Sequence, residues 1–173
     1  MTTPRIIGQG EWLELVDDGG WEYLRRRRST GIVVIIALTD DGELLLVEQP
    51  RKALGTTAIE LPAGLVGDTR EFAGEETRIA AARELEEETG YRPHELELIC
   101  IAPDSPGSSS ERLTVFRAGR LERVHDGGGD EHESITVHRV PLDQLHEWIG
   151  AQISRGALVD LKVYSALALA RGA

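Results

Sequence analysis

The sequence predicts a mixed α/β (α+β) sandwich, not a doubly wound parallel sheet. Strand patterns come first, one helix follows, and more strands precede two final helices, without the strand–helix alternation of a doubly wound fold. With 173 residues, of which 40% are hydrophobic, the chain suffices for one domain with an ordinary core. We expect residues 1–30 to form an additional β-hairpin element and residues 31–173 to form the main domain.

The strands are predicted by short β-branched and apolar runs between turn signals. The turn sequence DDGG at 17–20 joins the first two runs, and TDDG at 39–42 follows the most apolar run. The stretch 64–74 indicates a loop. The predicted strands span residues 11–16, 21–28, 31–38, 43–48, 57–61, 95–102, 112–118 and 135–140.

Three helices are expected. The clearest spans 75–89, because it is rich in alanine, glutamate and arginine and is followed by Gly90, which suits a left-handed C-cap. The other two span 142–153 and 157–170 and close the domain.

The charge balance narrows the classes of partner. Lysine and arginine total 19 against 30 aspartates and glutamates, for a net charge of −11. This argues against binding to nucleic acid or to an anionic membrane, both of which need a basic surface. The N-terminus lacks the apolar segment of a secretory signal, and no run approaches the length of a membrane span. Because the single Cys100 excludes an intramolecular disulfide, we expect a cytoplasmic protein.

The predicted helix 75–89 concentrates glutamates on one face. Glu84, Glu87 and Glu88 are spaced i, i+3 and i+4, so their side chains project from the same side. Two carboxylates about 5–6 Å apart repel by roughly 3 kcal/mol at an effective dielectric near 20. Three such groups need open water or bound cations, and hard oxygen ligands suit Mg²⁺ or Mn²⁺. The spacing alone leaves a solvated helix face as the alternative.

A longer pattern surrounds these glutamates. Residues 75–91 read E-x7-R-E-L-x-E-E-x-G-Y. This resembles the Nudix box, G-x5-E-x7-R-E-U-x-E-E-x-G-U, in which U is a bulky apolar residue. The resemblance is complete from Glu75 to Tyr91 and departs upstream. Ten residues separate Gly64 from Glu75 where the box has five, and Thr69 stands at the glycine position, which indicates a five-residue insertion.

The resemblance implies a Nudix-type α/β/α sandwich with a mixed sheet. It also implies an enzyme that hydrolyses a nucleoside diphosphate linked to another moiety, with Mg²⁺, or Mn²⁺, as cofactor. Arg83 is placed among the catalytic residues. The implied metal ligands are the carbonyl of Ala63 and the carboxylates of Glu84, Glu87 and Glu88.

Segments outside the box resemble the ADP-ribose pyrophosphatases. Residues 49–51 (QPR) resemble their QFR or QYR segment, and residues 60–64 (ELPAG) resemble their E-x-P-A-G. Residues 105–112 (SPGSSSER) resemble their SPGxxxER loop, whose proline lies fifteen residues beyond Tyr91. The implied substrate-binding residues are Arg51, Pro106 and Glu111. For the SPG segment alone, a surface turn is the alternative.

The N-terminal element extends this resemblance. Trp12 and the pair Trp21-Glu22 resemble the aromatic residues and glutamate that clamp adenine in the human member, one of them contributed by the second subunit. By the same resemblance Arg26 reaches the substrate, and residues 1–30 lie at the interface of a homodimer. A tryptophan in a short strand is more often a core residue, so that alternative stays open.

The general base has two candidates. In the family it often comes from a loop after the box, and residues 127–133 (GGGDEHE) precede a predicted strand at the corresponding place. This implies Glu131 as the base and Glu133 as a further metal contact. Glu87 is the competing base, and a flexible acidic loop is the alternative for 127–133.

The expected function is Mg²⁺-dependent hydrolysis of ADP-ribose to AMP and ribose 5-phosphate by a homodimer. Another nucleotide sugar or an oxidised nucleoside diphosphate remains an alternative substrate. A non-catalytic, nucleotide-sensing Nudix-like module is the alternative from another class. Such modules usually lose box glutamates, which this sequence retains.

Overall fold

The computed structural model describes residues 3–129 and 134–170 of the chain. The strands in these ranges are β1 (Arg5–Gln9), β2 (Leu13–Asp18), β3 (Trp21–Arg26), β4 (Gly31–Ala37), β5 (Glu43–Arg51), β6 (Thr56–Glu60), β7 (Ala63–Val66), β8 (Tyr91–Pro103), β9 (Arg112–Arg123), β10 (Thr136–Pro141) and β11 (Leu158–Val159). The helices are α1 (Thr77–Thr89), α2 (Leu145–Ser154) and α3 (Leu161–Ala170). Of these helices, none is both long and apolar enough to cross a membrane.

The strands form three sheets. Strands β1, β2 and β3 make an antiparallel N-terminal sheet, and the main domain has two four-stranded sheets ordered β7-β4-β9-β8 and β10-β5-β6-β11. Strand β4 pairs with β9 in parallel and with β7 antiparallel, while β11 pairs with β6 in parallel. Both larger sheets are therefore mixed, and the predicted α/β class is confirmed.

Strand β4 lies between the two layers of helices. Because side chains alternate across a strand, its residues reach two separate cores. One core lies under α1 and contains Val33, Ile35, Ala37, Ala80, Ala81 and Leu85. The other lies under α2 and α3 and contains Val34, Ile36, Leu145, Ile149, Val163 and Ala166. Burial on both faces explains why this strand reads as a continuous apolar run.

Helix α1 ends where the sequence predicts. Gly90 adopts the left-handed conformation with φ 77°, and its N–H donates to the carbonyl of Glu86 at 2.8 Å. A Cβ atom at this position would lie 2.1 Å from the carbonyl oxygen of His125. Glycine is therefore required both by the backbone conformation and by the segment packed against it.

Several element boundaries differ from the sequence prediction. Strand β1 was not predicted, so the N-terminal element is a three-stranded sheet and not a hairpin. The start of the predicted loop 64–74 belongs to β7, whose pairing with β4 supplies its hydrogen bonds. Helix α3 begins at Leu161 and not at 157, because Leu158 and Val159 pair with β6. In each case pairing with another strand decides the conformation.

Candidate active site

A cavity of about 650 Å³ opens beside α1, where β7, the end of β5, β3 and the start of α3 approach one another. Four side chains of α1 line it, together with the turn at the start of β7. Basic residues from β3, β5 and α3 line it as well. The lining includes Arg26, Gln49, Arg51, Glu60, Ala63, Gly64, Asp68, Thr69, Phe72, Arg83, Glu84, Glu87, Glu88, Asp104 and Lys162.

Glu88 ties α1 to the start of β7. Its side chain is buried, with the residue 2% exposed, and Oε2 accepts a hydrogen bond from the N–H of Ala63 at 3.0 Å. A buried charge needs such a partner, because burial removes its contact with water. This bond places the carboxylate next to Ala63, whose carbonyl is predicted from the sequence to be a metal ligand.

Glu84 lies against the backbone of Gly64. A Cβ atom on Gly64 would fall 1.9 to 2.2 Å from the atoms of the Glu84 carboxyl group, so only glycine leaves room for it. Burial raises the pKa of Glu84 to about 7; Arg83 opposes this shift, while Glu87 and Asp68 add to it. The positive charge of Arg83 therefore compensates only in part for the burial of the ionised Glu84 carboxylate.

Arg83 lies among the carboxylates of the box. Its guanidinium pairs with Glu75 at 2.8 Å, with Glu84 at 2.9 Å and with Glu87 at 3.0 Å. Burial acts to lower the pKa of Arg83, but its hydrogen bond to Glu75 and the charges of the other two glutamates raise it overall. Arg83 therefore stays charged and occupies one oxygen each of Glu84 and Glu87.

The same contacts decide how the oxygen ligands are arranged. Among the described residues, no group of three or more histidine, cysteine, aspartate or glutamate side chains already converges on a metal-binding geometry. The donor chemistry nevertheless fits a hard divalent cation, since Glu84, Glu87, Glu88 and Ala63 line one cavity. The raised pKa of the buried Glu84 carboxyl indicates that a cation there would relieve an electrostatic deficit.

Arg26 and Arg51, both predicted from the sequence to bind substrate, line the cavity, and each is paired with a glutamate. Arg26 donates to Glu111 at 2.5 Å, and Arg51 makes a two-pronged pair with Glu60 at 2.6 and 2.7 Å. Such paired geometry fixes the planar guanidinium group. Glu111 thus contacts the predicted site through Arg26.

Sequence reasoning missed Lys162 of α3. This lysine pairs with Asp160 at 2.7 Å and lies 3.5 Å from Asp104, and burial, which lowers its pKa, is outweighed by these aspartates. Gln49, Glu60 and Asp104 were also missed. A signal existed for each, since Gln49 and Glu60 lie within the QPR and ELPAG segments and Asp104 directly precedes the SPG segment.

The SPG loop joins the N-terminal sheet to the main domain. The N–H of Leu24 donates to the carbonyl of Ser108 at 2.8 Å, and the N–H of Ser110 donates to the carbonyl of Leu24 at 3.0 Å. Pro106 is exposed at the turn of this loop and does not line the cavity. The loop therefore contacts the cavity only indirectly, through its hydrogen bonds to β3 and through the pairing of Glu111 with Arg26.

The tryptophans of the N-terminal element are not core residues. Trp12 is 41% exposed and Trp21 is 64% exposed, and Arg28 lies over the Trp12 ring at 5.3 Å. The core alternative is therefore wrong for both. Within the described part of one chain, neither tryptophan nor the exposed Glu22 lines the cavity.

The predicted base Glu131 and metal contact Glu133 lie outside the described residues. The glycines before them are held at the end of α1. The N–H of Gly128 donates to the carbonyl of Glu88 at 2.9 Å, and that of Gly129 donates to the carbonyl of Glu87 at 3.1 Å. Gly129 therefore lies beside Glu87 and Glu88 of the box.

The mixed α/β fold and the cavity lined by carboxylates of α1 define a Nudix-type domain. Comparison with known family models agrees with this class. A model of the NUDIX domain matches residues 27–161. The chain belongs to the NUDIX domain family.

Curated relatives and a solved structure extend the comparison. A methanol dehydrogenase activator of Bacillus methanolicus is 35% identical over 123 residues, which cover 70% of this chain and 64% of that protein. An ADP-ribose pyrophosphatase of Bacillus subtilis is 40% identical over 114 residues, covering 65% and 59%. This chain therefore spans about three fifths of those relatives' length. A crystal structure of an ADP compounds hydrolase matches with TM-score 0.71 and 21% identity over 98% of this chain and 90% of that one, which supports the fold.

Proposed function

We propose that the protein hydrolyses the diphosphate of ADP-ribose, giving AMP and ribose 5-phosphate, with Mg²⁺ or Mn²⁺ as cofactor, in the cytoplasm. One observation carries the proposal. The box carboxylates and three basic side chains, Arg26, Arg51 and Lys162, line the same cavity. A diphosphate needs both: its oxygens bind cations directly, and carboxylates hold the metal that neutralises it.

The metal would be held by Ala63, Glu84, Glu87 and Glu88, and when bound it would neutralise charge on the diphosphate. The chain's own residues would orient the substrate. Arg51, fixed by its two-pronged pair with Glu60, offers a rigid donor to phosphate oxygens. Arg26, held by Glu111, offers a second one. Arg83 stays charged beside the carboxylates and limits their mutual repulsion.

For the general base we propose Glu131, with Glu87 as the competing candidate. The base must reach the attacking water within hydrogen-bonding distance. The first described range of the chain ends at Gly129, whose N–H donates to the carbonyl of Glu87, so the segment that carries both predicted residues follows directly from the box. This supports Glu131 as the proposed base, and for Glu133 we propose a further contact to the metal.

We also propose a homodimer in which residues 1–30 complete the adenine site with Trp12, Trp21 and Glu22. Large apolar side chains of the N-terminal sheet are 37–64% exposed, and exposed apolar patches mark interaction surfaces. They are Ile6, Ile7, Trp12, Leu13, Trp21 and Leu24. An element of this size cannot bury a core of its own, so a second subunit is the partner that we expect. The SPG loop, with Pro106 at its turn, would brace this element.

The test is a panel of nucleoside diphosphate derivatives incubated with Mg²⁺ in ¹⁸O-labelled water. ADP-ribose, ADP-glucose, GDP-mannose and an oxidised nucleoside diphosphate form the panel. We expect the highest kcat/KM for ADP-ribose, equal amounts of AMP and ribose 5-phosphate, and label in one of them. A higher kcat/KM for another member would establish the alternative substrate. Binding without release of any phosphate monoester would establish the sensing module instead.

A further inference from the structure

The five-residue insertion ahead of α1 forms a closed loop beside the cavity. Residues 67–74, here called the inserted loop, begin after β7 and return to Glu75. The N–H of Gly67 donates to Glu75 Oε1 at 3.0 Å, and the N–H of Glu75 donates to the carbonyl of Phe72 at 3.0 Å. Both ends of the loop are thus tied to Glu75. Asp68, Thr69 and Phe72 line the cavity.

Phe72 covers one face of the Arg83 guanidinium. The guanidinium carbon lies 4.1 Å from the centre of the ring, well inside the range of about 6 Å for a cation–π contact. The Arg83 side chain is 16% exposed, so little water competes for that face. The N–H of Phe72 donates to Thr69 Oγ1 at 3.3 Å, which holds the turn that presents the ring.

The edges of the same guanidinium are also engaged. Nε and Nη2 donate to the two oxygens of Glu75 at 3.3 and 2.8 Å, and Nη2 also donates to the carbonyl of Leu65 at 3.3 Å. Nη1 meets Glu84 Oε1 at 2.9 Å and Glu87 Oε2 at 3.0 Å. Because the guanidinium is planar and rigid, the ring on its face and these edge contacts together determine its orientation.

We propose that Phe72 is a positioning residue for the metal-binding carboxylates and acts through Arg83. This inference rests on the proposed function, in which Glu84 and Glu87 hold the cation. Arg83 takes one oxygen of each carboxylate, so the second oxygen of each is presented in a fixed direction. Without the aromatic ring, the guanidinium can tilt out of its plane, and both carboxylates lose that direction.

The primary test measures Mn²⁺ binding without substrate, by calorimetry, on the full chain. Phe72→Leu should weaken Mn²⁺ affinity about three- to tenfold, the size of one cation–π contact. Phe72→Tyr keeps the ring and should bind within about twofold of wild type. Glu71→Gln, at an exposed neighbour in the inserted loop, is the matched control and should change nothing. If Phe72→Leu does not fold, Phe72→Met replaces it, since methionine keeps apolar bulk without a ring.

Two further readouts separate positioning from a merely structural role. The Mg²⁺ concentration for half-maximal hydrolysis should rise by the same factor in Phe72→Leu, while kcat at saturating Mg²⁺ stays near wild type. In an Arg83→Lys background, Phe72→Leu should add no further loss of Mn²⁺ affinity, because lysine has no plane to hold. A structural role would lower the unfolding midpoint and leave the metal affinity of the folded protein unchanged.

Four results would overturn the inference. They are unchanged Mn²⁺ affinity in Phe72→Leu, tighter binding in that variant, equal weakening in Phe72→Tyr, and full additivity with Arg83→Lys. Tighter binding would mean that Arg83 competes with the cation. If wild type binds Mn²⁺ but does not hydrolyse ADP-ribose, the proposed substrate fails while the Mn²⁺ comparison still decides the role of Phe72.

Discussion

Helix α1 and the N-terminal sheet both carry predicted site residues, but only α1 delivers all of them to the cavity of a single chain. Glu84, Glu87 and Glu88 share one helix face and line the cavity. Trp12 and Trp21 lie on the surface of the N-terminal sheet instead. The difference teaches that local spacing determines a site on one element, whereas a site shared between elements depends on how they are assembled.

The two regions also treat acidic side chains in opposite ways. In α1, burial raises the pKa of Glu84 to about 7. Near the end of β2, the N–H of Gly20 and the side chain of Arg5 lower the pKa of Asp17. The helix therefore carries a carboxylate whose burial Arg83 compensates only in part, and the sheet carries one that is satisfied by its own neighbours.

The largest expected effect is on the metal face of α1. Glu88→Gln should lower kcat/KM by about 10³-fold or more, since charge stabilisation by a bound metal supplies several kcal/mol. The fold should survive, because the amide oxygen can still accept the hydrogen bond from Ala63. Steady-state kinetics with Mg²⁺ check this, with Glu86→Gln on another face of the helix as the control. Near-normal activity in Glu88→Gln would sink the metal assignment.

The next effect separates the two candidate bases. Glu131→Gln should lower kcat by about 10²–10⁴, the usual range for lost general-base assistance, with little change in substrate affinity. The same change at Glu87 should mainly weaken Mg²⁺ binding, and added Mg²⁺ should partly rescue it. Measuring kcat and Mg²⁺ affinity for both variants decides between them. A kcat for Glu131→Gln within about threefold of wild type would assign the base to Glu87.

A smaller effect tests the N-terminal sheet. Trp21→Ala should raise KM for ADP-ribose about tenfold, the size of one base–aromatic stacking contact, and leave kcat nearly unchanged. Ile79→Ala removes a similarly exposed apolar side chain from α1 and is the control. The dimer should appear as a doubled mass in light scattering. A chain lacking residues 1–30 that remains active with unchanged affinity for ADP-ribose would show that this sheet is dispensable.

The last effects concern stability without metal and leave catalysis aside. The pKa of Glu84 is raised from 4.5 to about 7 in the folded state. The protonated carboxyl therefore carries no electrostatic cost below pH 4.5, and its contribution to the free energy of unfolding is lost as pH rises through 7, where the buried group must ionise. Glu84→Gln should therefore gain stability relative to wild type across this window, by up to about 3 kcal/mol. Thermal unfolding at a series of pH values in chelator measures the difference.

Asp17→Asn provides the comparison of opposite sign. The pKa of Asp17 is lowered below 3.8, so its contribution is present above that pH and is lost on acidification. The variant should be less stable than wild type at neutral pH, and the difference should disappear in acid. The same pH trend in both variants would contradict the contrast between the two regions.

Much of the fold could be predicted from local patterns. The run 31–38 is apolar throughout, and it is β4, buried on both faces. Gly90 ends α1 because a left-handed cap is needed there. Strand β1 and strand β7 were missed, since their apolar patterns are short and their hydrogen bonds come from β2 and β4. Such pairing depends on a partner strand and cannot be predicted from the short pattern of one strand alone.

The sequence by itself determined the family, the helix and the carboxylate face of the site, because the spacing of a regular helix converts sequence separation directly into geometry. Tertiary structure alone decided the rest. It brought Lys162 and Asp104 to the cavity. It placed the Glu84 carboxyl group so close to Gly64 that no Cβ atom would fit there, and it stacked the ring of Phe72 on the Arg83 guanidinium. These contacts join segments whose separation along the chain says nothing about distance, so only the packed fold could produce them.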